Sequence, residues 1–212
     1  RQARLDFDMG GRLGAKTRFQ IGGFQRIGEG PRESNVTLED GGQVRMNLTQ
    51  EFDGGFVRVS FKHLDDKTPT YLPVPVRLSG KKIEQLPGVD PRTAFFINSN
   101  LSQDSVADPT DGLAVKNTSF GLELQADVGN GFTLSQKLRR SEISGRFVGA
   151  FPAGGAPSDP ANGANQYTGT APVFSMHLFN TSLDDLGNVF SETRLAKAFD
   201  LGGGSKLTGT GG

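Results

Sequence analysis

The residue types that most often carry chemistry are sparse in this chain, and badly spaced for it. His63 and His177 are the two histidines, neither has a companion at metal-ligand spacing, and there is no cysteine. This disfavours a zinc site or a histidine-based nucleophile. Asp104, Asp108 and Asp111 share one segment, but their spacing does not match a calcium loop, so they read as solvated acids. Gly129-Asn130-Gly131 and Gly202-Gly203-Gly204 open no helical pattern. They read as turns supplying positive φ rather than phosphate cradles. No paired carboxylates and no activated nucleophile emerge, so the sequence suggests no enzyme, no metal and no cofactor. What remains is a set of charged and polar side chains, Arg45, Arg58, Lys62, Glu123, Gln125, Lys137 and Arg139, each on the polar side of an alternating segment. Their chemistry is ion pairing, hydrogen bonding and hydration.

The elements that position them alternate with a period of two, which places successive side chains on opposite faces of a strand. In Asn117–Val128, Thr118, Phe120, Leu122, Leu124, Ala126 and Val128 oppose Asn117, Ser119, Gly121, Glu123, Gln125 and Asp127. In Gln43–Thr49, Val44, Met46 and Leu48 oppose Gln43, Arg45, Asn47 and Thr49; in Phe56–His63, Val57, Val59 and Phe61 oppose Arg58, Ser60 and Lys62. None of these three apolar faces carries a charge. Weaker alternation marks strands around Leu5–Met9, Lys16–Ile21, Phe132–Arg139 (with Gln136 interrupting the apolar face) and Val189–Lys197, giving about eight strands.

The connections divide into two kinds. Short turns lie at 10–14, 51–55, 128–131 and 199–204, and long Gly/Pro/Asn/Asp-rich stretches lie at 28–42, 64–116 and 141–188. Within the last, Pro172–Phe179 alternates weakly and suggests an extra strand. Tight turns at one end and long loops at the other are the wiring of an outer-membrane β-barrel. Phe52, Phe56, Phe132 and Phe199 flank the short turns and are expected to form an interfacial girdle. A mean hydropathy of −0.38 fits strands that show lipid only every second residue. A formal net charge of zero disfavours a nucleic-acid binder. The chain starts at Arg1 without a secretory leader and ends on Leu207–Gly212 in what reads as a strand. It is therefore expected to be part of a longer protein.

Several stretches resemble the barrel of TonB-dependent outer-membrane receptors: Gly22-Gly23-Phe24-Gln25-Arg26, Gly41–Asn47, Phe52–Arg58, Leu64–Pro73, Asp111-Gly112-Leu113, Ser119–Glu123 and Phe199–Gly203. The resemblance implies an all-β, antiparallel transmembrane barrel segment spanning 1–212, with short periplasmic turns and long extracellular loops. It would be part of a barrel of about 22 strands in the bacterial outer membrane. The plug, the N-terminal region that binds TonB and the C-terminal strand lie outside this sequence. The implied function is uptake of a scarce, bulky nutrient such as a siderophore, a cobalamin-like compound or an oligosaccharide, with outer-membrane lipid and TonB as partners and no nucleic acid. Lumen-facing ligand candidates are then Arg45, Arg58, Lys62, Glu123, Gln125, Lys137 and Arg139, and loop candidates are Tyr71, Arg92, Phe95 and Phe96. The rival readings are a passive porin, and a soluble β-sandwich binding carbohydrate. The sandwich predicts a second sheet packed on the apolar faces of Gln43–Thr49 and Asn117–Val128.

Overall fold

Side chains that alternate in character along the chain need a pleated backbone to separate them, and the computed structural model supplies little else. It describes residues 1–31, 37–70, 76–85, 99–102, 105–107, 111–152, 176–203 and 205–212. The strands are β1 (Gln2–Arg12), β2 (Thr17–Gly28), β3 (Glu39–Phe52), β4 (Gly55–Thr68), β5 (Val76–Ser79), β6 (Lys82–Gln85), β7 (Ser99–Ser102), β8 (Ser105–Ala107), β9 (Leu113–Gly129), β10 (Phe132–Pro152), β11 (Met176–Leu183), β12 (Asn188–Asp200) and β13 (Lys206–Gly211). Nine of them form one open antiparallel sheet in the order β1-β2-β3-β4-β9-β10-β12-β13, with β11 also on β10. Each strand pairs with the next long strand in the chain. The pairs β5-β6 and β7-β8 are separate two-stranded hairpins inside the connection from β4 to β9, so that connection is not the wholly irregular loop the sequence suggested.

The strands are longer than the alternation indicated. β4 continues through Asp65-Asp66-Lys67 to Thr68, β9 begins at Leu113, and β10 runs 21 residues to Pro152. The extra strand expected at Pro172–Phe179 is described from Met176, where it runs on to Leu183; Pro172, Val173, Phe174 and Ser175 lie outside the described residues. β11 and β12 lie end to end along one side of β10. β11 covers Gly145–Pro152 and β12 covers Phe132–Ser141. The break between them, 184–187, keeps one rung, from Leu186 N to Ile143 O at 2.8 Å.

Turn chemistry sets one end of the sheet. Asn130 and Gly131 have φ of 54° and 77°, the mirror-image two-residue turn that Asn-Gly favours because both central residues need positive φ. All four short turns fall at this end; 29–38, 69–112 and 153–175 connect strands at the other.

Register shows that the sheet is sheared. One row runs Gly11, Phe19, Leu48, Val59, Leu122, Leu138, Ser191. Past this row the first turn opens two residues on at Leu13, and the next five on at Asp53. The third opens eight on at Asn130, and the last ten on at Leu201. A steady offset of this kind is what tilted strands produce, and closing a sheet into a barrel requires it.

The apolar face is not buried. Among the described residues the only buried hydrophobic side chains are Leu38 and Val148, while Met46, Leu48, Val59, Phe120, Leu122 and Leu138 are 39–60% exposed. The second sheet of a sandwich is absent from this face among the described residues. Moving away from the turns, the first charge on the face comes at Asp40 in β3, Asp65 in β4, Lys116 in β9 and Arg140 in β10. These lie eight, six, six and two residues from the reference row. The limit of the charge-free band thus slants in the same direction as the turns.

Candidate functional site

Pairing fixes which side chains share the polar face. Arg18, Thr49, Arg58, Glu123, Lys137 and Glu192 are successive partners across six strands. The next row toward the long loops holds Gln20, Asn47, Ser60, Gly121, Arg139 and Phe190, and the one after it Gly22, Arg45, Lys62, Ser119, Ser141 and Asn188. All seven strand candidates, Arg45, Arg58, Lys62, Glu123, Gln125, Lys137 and Arg139, therefore stand on one face. Tyr71, Arg92, Phe95 and Phe96 lie outside the described residues.

The face is organised by ion pairs and by arginine on phenylalanine. Arg58 Nη1 is 3.1 Å from Glu123 Oε2, and Arg58 Nε donates to Thr49 Oγ1 at 2.9 Å. Arg26 donates to both oxygens of Asp66, at 2.9 and 2.6 Å, and reaches Glu39 at 3.3 Å. A two-point guanidinium–carboxylate contact fixes direction as well as charge. Three rings on this face each lie under a guanidinium: Phe24 under Arg4 at 4.3 Å, Phe56 under Arg58 at 5.2 Å and Phe190 under Arg139 at 5.9 Å. Cation–π attraction makes a ring compatible with a wet surface.

Phe56 therefore departs from the expected girdle. It pairs with Glu51 and Gln125 in a polar row, because it shares the parity of Arg58. Phe52, Phe132 and Phe199 keep the apolar parity. Lys197 Nζ sits between the last two at 4.5 and 5.3 Å. His63 faces the apolar side near its charged edge, with Nδ1 2.9 Å from Thr118 Oγ1. Among the described residues no group of three or more His, Asp or Glu could hold a metal ion, and Asp111 is paired with Arg146 at 3.1 Å.

A recurring glycine gap was not evident from the sequence. Gly41 stands between Arg26 and Asp66, and Gly22 between Asp8 and Arg45. Without a side chain on the middle strand, charges on its two neighbours meet over it: Arg26 on Asp66 at 2.6 Å, Arg45 near Asp8 at 3.9 Å. Gly121 takes the same middle place between Ser60 and Arg139. A glycine at a polar-parity position is the only trace such a gap leaves in sequence.

No family model matches this chain, and neither the curated proteins nor the solved structures include a match to it.

Proposed function

We propose that this chain forms one wall of a TonB-dependent outer-membrane receptor, with its apolar face toward lipid and its polar face toward a lumen. In this reading the long connections, carrying Tyr71, Arg92, Phe95 and Phe96, reach the cell exterior and first meet a scarce, bulky nutrient. The short turns face the periplasm, from which TonB supplies the energy for uptake. Arg45, Arg58, Lys62, Glu123, Gln125, Lys137 and Arg139 line the path and keep it hydrated.

The observation that carries the reading is the slanting apolar face, left open by a sheet with almost no core, whose middle band holds no charge from β1 to β10 and on β12 holds Lys197 near the turns. Soluble monomers rarely leave more than a few hundred Å² of contiguous apolar surface in water. Each buried Å² of such surface is worth roughly 25 cal/mol, so a face spanning seven or more strands demands a cover. Hydrocarbon meets that demand without a second layer of protein. β1 and β13 each leave an edge unpaired among the described residues, where further strands would add and so remove the open edges.

These 212 residues hold no cysteine of their own to label, and any cysteine elsewhere in the complete protein is first replaced by serine. Leu122→Cys and Glu123→Cys, each labelled with an environment-sensitive fluorophore in the complete protein in native membranes, are expected to give opposite results. The label at 122 should be quenched by a lipid-soluble quencher and the label at 123 by a water-soluble one. Equal protection of both from the lipid quencher would overturn the membrane reading.

A further inference from the structure

Of the three polar-face glycine gaps that have an arginine on one side, two are closed by a carboxylate from the protein itself: Asp66 over Gly41 and Asp8 over Gly22. The third, over Gly121, has the cation and lacks the acid. Arg139 stands on one side and the Ser60 hydroxyl on the other, and a Cβ at 121 would fall 2.5 Å from Ser60 Oγ. Arg139 has no carboxylate partner among the described residues; its guanidinium lies over the Phe190 ring. The two hollows that meet at Gly121 are lined by five cations, Arg45, Arg58, Lys62, Lys137 and Arg139, and by one carboxylate, Glu123, which Arg58 already engages. Lys62 and Lys137 likewise have no ion-pair partner among the described residues. Around these charges stand neutral hydrogen-bonding groups, Gln20, Asn47, Asn117, Ser119 and Asn188.

We infer that the Gly121 gap is a seat for an external carboxylate, and that the ligand bearing it is an acidic oligosaccharide. The carboxylate of a uronic acid residue would lie over Gly121, taking from Arg139 and Ser60 the contacts that Asp66 takes from Arg26. Amide and hydroxyl side chains on either side are suited to sugar hydroxyls, which donate and accept in equal measure. The Phe190 ring at the rim offers an apolar surface to a sugar face. Arg45, Lys62 and Lys137 add a field that draws in the anion. The inference rests on the proposed lumen, because it needs the polar face open to a solute.

The test is calorimetric titration of the complete protein in detergent micelles with trigalacturonate and with galactotriose, its neutral counterpart. Trigalacturonate is expected to bind at least tenfold more tightly at low salt, and the difference should shrink as salt rises. Arg139→Gln, and separately Gly121→Leu, should each erase most of that preference. Arg18→Gln, on the same face but outside both hollows and paired there with Glu51, should change it by less than threefold. Binding blind to charge, or a preference that survives both Arg139→Gln and Gly121→Leu, overturns the inference. So would loss of thermal stability in Arg139→Gln with the preference intact, because it would assign Arg139 to another part of the protein. Failure here is distinguishable from failure of the transport reading. A membrane-embedded protein indifferent to the acid loses only the seat. A protein that needs no detergent yet prefers the acid loses the lumen and keeps the seat.

Discussion

Arg26 on β2 holds Asp66 on β4 by two hydrogen bonds of 2.9 and 2.6 Å, across an intervening strand, because residue 41 between them is glycine. Arg26, Asp66 and Glu39 sit at 15%, 17% and 7% side-chain exposure, so this cluster is far better shielded than the other ion pairs of the face. Gly41 has φ of 140°, and a Cβ there would lie 2.5 Å from Asp66 Cα. Gly41→Ala should therefore cost about 1–3 kcal/mol through backbone strain and steric clash. Asp66→Asn should cost less in the Gly41→Ala background than alone, since groups in one network are not additive. Urea unfolding of the complete protein in lipid vesicles measures both. Full additivity would mean that the glycine and the pair are unrelated.

The slant of the charge-free band predicts how position on the apolar face sets the cost of a charge. Leu122 lies in the reference row, and Ser144 lies level with Lys116 and Asp65 at the charged edge. Leu122→Arg should destabilise by roughly 2–4 kcal/mol and Ser144→Arg by roughly 0–1 kcal/mol in vesicles. Equal costs at the two sites would argue that something other than hydrocarbon covers the face.

The β9–β10 turn predicts a purely local effect. Asn130 holds φ of 54°, a left-handed conformation that costs most residues roughly 1–2 kcal/mol. Asn130→Gly should be close to neutral, and Asn130→Val should cost about that amount. Both variants should leave trigalacturonate binding unchanged, because the turn lies away from Gly121. A large effect of Asn130→Gly on unfolding would show that the asparagine side chain, rather than its backbone, matters here.

The strands were legible wherever one face was apolar and the other polar, because the pleat imposes a strict period of two. They became illegible where both faces turn polar. Asp65-Asp66-Lys67 shows no alternation, yet it continues β4, held by rungs to β3 and β9. The shared face of Arg45, Arg58, Lys62, Glu123, Lys137 and Arg139 followed from parity within each segment. The relation between Arg26 and Asp66, or between Ser60 and Arg139, did not. It depends on the register of three strands at once, and register is set by turn geometry and pairing rather than by any one segment. Phe56 was misplaced for a related reason. Proximity to a turn indicated a girdle position, but one residue of parity sends its ring to the other face.

Gln136, the polar residue that interrupts the apolar face of β10, is accounted for by its neighbours on β12. It accepts a short hydrogen bond from the Thr193 hydroxyl, and its Nε2 lies 3.2 Å from Ser191 Oγ. Thr193 is its cross-strand partner, so the two side chains stand side by side on a surface that otherwise offers few hydrogen-bonding groups. Satisfied together they are tolerated; a polar group left without its partner away from water costs about 1–3 kcal/mol. Thr193→Val should therefore destabilise the complete protein in vesicles by about that amount. Adding Gln136→Leu should recover most of the loss, because both polar groups are then gone and an apolar pair faces lipid. If the amide were instead exposed to water, Thr193→Val would be nearly neutral and Gln136→Leu would recover nothing, an outcome that places this row outside the hydrocarbon layer.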